Sequence, residues 1–273
     1  MGIPAMIVAA KPLKLHAGRA TFLLILLGLW EVLAIHYAKV DFSISRPSVV
    51  VKELIVLFRD LSIFRDIGVT GWEALAGLLL GTVIGSFCGL ITWFSKFTSN
   101  LLKPFVIALG AMPVLAVAPL MIIWFGIGIS MKIALACLST VFVAYAQSAI
   151  GVDKFSQEYL DTLRGMNASR RQIFKIAIIP GTLDWIFGAM KTNTGLALLG
   201  AFIGEFISSN QGLGYLVLRA AGLYNVPRAL AVALLIIALA LLFDWLATLI
   251  ERKRNVLIEW LCIPNEVWRT RVH

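Results

Sequence analysis

Residues 153–180, DKFSQEYLDTLRGMNASRRQIFKIAIIP, form the one long polar stretch bracketed on both sides by spans apolar enough to be membrane-buried. Lys154, Arg164, Arg170, Arg171 and Lys175 stand there against Asp153, Glu158 and Asp161. What flanks this stretch decides the fold. No charged residue lies between Glu73 and Lys96, between Lys103 and Lys132, or between Lys132 and Asp153. Each of these gaps holds at least 20 residues, about what one helix needs to cross a bilayer. Of the 273 residues, 60% are hydrophobic and 14% charged, whereas soluble globular chains carry about 25% charged residues. The expected fold is all-α: a polytopic membrane protein with six transmembrane helices.

The net charge of +9 does not indicate nucleic acid. The basic residues sit beside apolar spans, where cytoplasmic loops collect Lys and Arg. No basic stretch is interleaved with base-stacking aromatics. Cys88, Cys137 and Cys262 lack ligand spacing, so neither a disulfide framework nor a metal site is expected. No Gly is followed by Lys, which leaves no phosphate-cradling P-loop. His16, His36 and His273 are isolated. With no catalytic constellation, the chain reads as a non-enzyme without a cofactor of its own.

Along the chain, residues 1–19 form a basic tail with Lys11, Lys14 and Arg19, and 20–38 the first span. Glu31 and His36 interrupt that span and no small-x-small pattern follows, so it reads as a retained helix rather than a cleaved signal. In 39–68, Pro47-Ser48 looks like a helix start. Leu54, Leu57, Phe58 and Leu61 recur at helical spacing, as for an amphipathic surface helix. The second span, 69–94, has Gly77, Gly81, Gly85 and Gly89 four apart, a stripe on which a neighbouring helix can pack closely. Glu73 at its outer end is expected to be interfacial. The third span, 101–124, holds Pro104, Pro113 and Pro119 and should be broken or bent, as elements lining a transport path often are. A WFGIG turn, Trp124 to Gly128, follows it. Spans 132–152, 184–207 and 227–250 complete the six, with an outer loop at 208–226. A tail of 251–273 begins with a basic cluster at Arg252, Lys253 and Arg254.

Six spans put both termini on one side. Placing them in the cytoplasm gives that side 15 of the 24 Lys and Arg, while connection 125–131 outside holds none. This satisfies the positive-inside rule and makes 153–180 cytoplasmic.

Within that stretch, Ser156 can cap a helix whose first turn carries Glu158. The helix should run to about Met166 and stop at Asn167 in a left-handed turn. Ser169 with Gln172 forms a capping box for a second helix, ended by Pro180 and Gly181. Tyr159, Leu163, Met166, Ile173 and Phe174 then fall roughly on one face. An ordinary amphipathic loop would show the same periodicity.

The spacing goes further. It resembles the permease signature of ABC importers: Glu-Ala-Ala, three residues, Gly, nine residues, Ile-x-Leu-Pro. Those places hold Asp161-Thr162-Leu163, Asn167, Ala177, Ile179 and Pro180; only the proline is identical. Asn167-Ala168-Ser169-Arg170 looks like the Gly-Ala-Ser-Arg of the nitrate/sulfonate/taurine branch. So do Pro119-Leu120 through Trp124-Phe125-Gly126-Ile127-Gly128, and Gly212-Leu213-Gly214 after Glu205. Asp184 and Lys191 depart from the Pro and Arg common at their places. The resemblance covers about residues 45–250. It implies an inner-membrane permease for a small anionic solute such as nitrate, a sulfonate or taurine. Its implied partners are a second copy in a homodimer, two ATPase subunits that bind the ATP, and an external solute-binding protein. It also implies a coupling helix that docks on the ATPase through Glu158, Asp161, Leu163, Arg164, Gly165, Met166, Asn167, Ala168 and Ser169. Asp161 and Arg164 would make polar contacts there, and Leu163 and Met166 would fill the groove.

Lys191, Thr192, Asn193 and Thr194 make the fifth span the most polar, and such groups usually face a bundle interior or an aqueous cavity. They are candidates for the solute path, with Met112 and Pro113 at the kink in the third span. Lys191 would attract an anion or snorkel to the headgroups. Glu205 is a candidate partner for Arg219 or for the binding protein. The alternative function is a self-contained secondary transporter or channel. That class needs no ATPase-docking element and usually shows internal repeats, which are not evident here.

Overall fold

The computed structural model describes residues 12–36 and 45–260. The outer parts of both tails and the start of the first outer loop lie outside the described residues, as do Cys262 and His273.

Among the described residues every regular element is helical. Helices α1 (Pro12–His36) and α2 (Pro47–Arg59) are joined by Glu31. Its carboxylate accepts from the Ser48 backbone N–H at 3.0 Å and from the Ser48 hydroxyl at 2.8 Å. That satisfies an orphan donor of the first turn of α2, whose N-cap Arg46 supplies no side-chain bond. Pro47 opens α2 as expected. Leu57 is buried there, whereas Phe58 and Leu61 are exposed.

Helix α3 (Ser62–Ile91) starts earlier than the hydropathy suggests. The Asp60 carboxylate accepts from the Ser62 N–H at 3.0 Å, which fixes that start. A 3₁₀ turn (Thr92–Phe94) leads to α4 (Lys96–Gly110), and α5 (Val114–Phe125) follows. These two helices meet at 97°. The third span is therefore bent, as its prolines suggest. The break falls at Pro113 alone; Pro104 and Pro119 sit inside their helices.

Helix α6 (Ile129–Asp153) crosses next, followed by α7 (Gln157–Gly165) and α8 (Arg170–Ile173). Then come α9 (Ile179–Ile207), α10 (Leu213–Gly222) and α11 (Val226–Trp260). By length and composition four described helices can cross a membrane, and the bent α4–α5 pair is a fifth candidate. The apolar part of α1, Thr21–His36, is shorter, so among the described residues four or five candidate spans stand against the six expected.

Helix α6 is the centre of the bundle. Its small residues meet the α3 glycine stripe: a Cβ on Gly85 would lie 2.8 Å from the Ala144 Cβ, and one on Gly89 2.7 Å from the Tyr145 carbonyl. Gly77 and Gly81 face Ala136 and Thr140 in the same way. Gly200 and Gly204 of α9 lie against Ala136 and Lys132 on another side of α6. Without a water-driven hydrophobic effect between helices, such close backbone approach supplies the packing energy.

Candidate functional site

The polar stretch between α6 and α9 folds as two short helices around one left-handed residue. Asn167 has φ 57, a conformation Asn tolerates better than most residues. Ser169 and Gln172 form the capping box: the Ser169 N–H donates to Gln172 Oε1 at 2.8 Å, and the Gln172 N–H donates to Ser169 Oγ at 3.3 Å. Ser156 occupies the N-cap of α7 without a side-chain bond.

The second helix does not end at Pro180. A π turn over Phe174–Ile178 runs directly into α9, so one helical course extends from Arg170 to Ile207. Proline lacks an N–H and crowds the carbonyl four residues back. The wider π turn just before it removes both problems.

Leu160, Ile173, Ala177 and Ile178 bury themselves with Val152 and Phe155, with Trp93, Tyr159 and Leu163 packed around them. Burying a Leu or Ile fully is worth about 1.5–3 kcal/mol. The segment is thus anchored to the ends of α3 and α6 by its own small core.

Its outer surface carries most of the docking candidates. Glu158, Asp161, Arg164, Gly165, Asn167 and Ser169 are exposed, and Met166 is 74% exposed. Arg164 and Asp161 pair at 2.7 Å along one helix face. Leu163 and Ala168 are half-buried and belong to the segment's own core. Of the two expected groove-fillers, only Met166 points wholly outward.

The fifth-span candidates separate. Asn193 is fully buried, and its amide donates to the Thr140 carbonyl at 3.1 Å and to Thr82 Oγ1 at 3.4 Å. It ties α9 to α6 and α3 and does not face an open path. Thr194 is buried too, bonding the Lys191 carbonyl at 2.8 Å. Thr192 is exposed and Lys191 half-exposed. Lys191 Nζ lies 3.9 Å from the Glu251 carboxylate, which draws it along α11 towards the basic tail, as snorkelling would. Met112 lines a cleft of about 220 Å³ beside the α4–α5 bend, with Ser139, Phe142 and Leu196. Pro113 sits at the bend itself.

Two readings of acidic residues are corrected. Glu73 is not interfacial: it is 1% exposed and pairs at 3.0 Å with Lys132, itself 4% exposed. Glu205 has neither Arg219 nor an outside surface as its partner. It is fully buried, accepting from Thr70 Oγ1 and from the Gly214 N–H, each at 2.6 Å. Thr70 Oγ1 also accepts from the Leu213 N–H at 2.9 Å, and Asp66 from the Gly212 N–H at 2.7 Å. Lys132 adds a bond to Ser209 at 2.8 Å. Together these groups strap the 208–214 connection onto α3 and α6. A charge alone in each apolar flank was the sequence signal, since buried charges occur paired.

Residues 81–256 match the family model described as "Binding-protein-dependent transport system inner membrane component". The match spans more than half of the chain, and the chain belongs to this family. It is 28% identical to the formylaminopyrimidine transport permease protein ThiX of Halalkalibacterium halodurans, over 88% of this chain and 94% of that one. It is 26% identical to the taurine transport system permease protein TauC of Escherichia coli strain K12, over 80% of each. Among solved structures, the MetNI methionine ABC transporter in an inward-facing conformation matches with a TM-score of 0.63 and 16% identity. That match covers 71% of this chain and 96% of the solved one, and the two share a fold. The protein is a multi-pass inner-membrane ABC transport permease, not an enzyme.

Proposed function

We propose that this chain is the transmembrane subunit of an ATP-driven importer for a small anionic solute. Two copies form the translocation path. An external binding protein delivers the solute, and two separate ATPase subunits bind the ATP. Both termini and the 153–180 segment face the cytoplasm, in keeping with the Lys and Arg bias.

The observation that carries this reading is the family match combined with the α7–Asn167–α8 unit, whose exposed rim is held rigid by its own core. A segment that must transmit force from a moving ATPase has to be fixed to the spans it drives. Here Leu160 and Ile173 do that, and the unbroken course from α8 into α9 links the dock to the fifth span. Glu158, Asp161, Arg164, Gly165, Met166, Asn167 and Ser169 form the docking rim, with Leu163 and Ala168 beneath it. Met112, Pro113, Lys191 and Thr192 are the accessible residues proposed to line the path. The anion reading takes support from the taurine relative, although the formylaminopyrimidine relative is of similar closeness.

The test is uptake by proteoliposomes holding this chain, its ATPase and its binding protein. ATP-dependent accumulation of a sulfonate or nitrate supports the reading. Accumulation driven by an ion gradient without ATPase would replace it with the secondary-transporter alternative.

A further inference from the structure

A polar cleft of about 660 Å³ opens between the α3–α4 turn and the α7–α8 unit. Trp93, Lys96, Asp153, Gln157, Arg164 and Arg170 line it. Three cations there face one carboxylate. Arg164 is already committed to Asp161. Lys96 and Arg170 have no ion-pair partner among the described residues. The Trp93 indole nitrogen is buried beside the cleft without an acceptor. The floor is apolar, formed by Val152 and Ile173. Excess cations above an apolar floor, at the end of the apolar α3 span, suit an anion with an attached organic part. Basic pockets between membrane helices on this kind of face take anionic headgroups.

We propose that this cleft binds a phosphate-bearing anion, with Lys96 and Arg170 as its donors. The bilayer supplies such a group as an anionic phospholipid headgroup; the aqueous phase supplies it as free phosphate. The ligand would bridge the start of α4 to the start of α8, and so join the bent third span to the proposed dock. The site stands on the cleft's own chemistry and does not depend on the importer reading.

The test uses the full chain without its transport partners. In one arm it sits in nanodiscs of phosphatidylcholine with phosphatidylglycerol, and native mass spectrometry counts the retained phosphatidylglycerol. In the other it sits in phosphatidylcholine alone, and phosphorus NMR follows added inorganic phosphate. Wild type is expected to bind in at least one arm, and which arm responds identifies the source. The double variant Lys96→Gln, Arg170→Gln should lose about 10-fold or more of that binding. Lys103→Gln with Lys175→Gln removes equal charge at exposed positions outside the cleft and should leave it unchanged. Equal binding by all three proteins, or none in either arm, overturns the proposal.

Discussion

The Lys132 ammonium lies 3.0 Å from the Glu73 carboxylate, and both side chains are almost fully buried. An ion pair enclosed this way, with Ser209 as a second acceptor for Lys132 at 2.8 Å, fixes α6 to α3 towards the N-terminal ends of the two helices. Removing one partner strands the other charge. Lys132→Met or Glu73→Leu alone should therefore cost about 3–5 kcal/mol. The double variant should recover much of that loss. Thermal unfolding of the detergent-solubilised protein measures both, and additive losses in the double variant would show that the pair is not coupled.

The glycine stripe gives a graded steric test. A Cβ on Gly85 would press on Ala144 at 2.8 Å and on the Tyr145 backbone N at 2.9 Å. Gly85→Ala should cost about 1–3 kcal/mol by overpacking. Gly188 in α9 has open space at the same position, and Gly188→Ala should be neutral or stabilising by up to about 1 kcal/mol. The unfolding midpoint should fall for Gly85→Ala and hold or rise for Gly188→Ala.

Asn167 stands at φ 57. Asn167→Gly should leave stability within about 1 kcal/mol, whereas Asn167→Val should cost about 1–2 kcal/mol because a β-branched side chain clashes there. ATPase binding by the Val variant should fall further than its thermal stability does, since the turn sets the angle between α7 and α8. A Val variant that binds normally would separate the turn from the dock.

Asp60 offers a pH test outside the spans. The Ser62 backbone N–H, and then its side chain, hold the Asp60 carboxyl below its ordinary value of 3.8. A lowered folded value means the stabilisation is present above pH 3.8 and is lost as pH falls through the folded value. The stability difference between wild type and Asp60→Asn should be flat near neutrality and shrink only in strong acid. A difference that instead grows on acidification would contradict the Ser62 contact.

Local chemistry was readable in the sequence, and long-range pairing was not. The Asn167 turn, the Ser169–Gln172 box and the glycine stripe each depend on a few neighbouring residues, and the structure has all three. The bend in the third span was legible from proline content, though not which proline breaks it. Glu73 was misplaced because its partner lies 59 residues away and meets it only through the packing of α3 on α6. Asn193 was a solute-path candidate, and polarity in a span does not reveal that its amide bonds between helices. Pro180 was read as a stop because nothing in the letters announces the π turn that absorbs it.

The dock itself is tested most directly by reversing its exposed ion pair. Asp161→Lys with Arg164→Glu keeps an attractive pair on the same helix face, where the two side chains now meet at 2.7 Å, so α7 should stay folded. It inverts the charges offered to a partner. Co-purification with the ATPase and ATP-dependent uptake are measured beside wild type. The expected result is loss of both by about 10-fold or more, with unfolding unchanged, as like-charge contacts at an interface cost several kcal/mol. Unchanged assembly and uptake in the double variant would contradict the assignment of this segment as the coupling element.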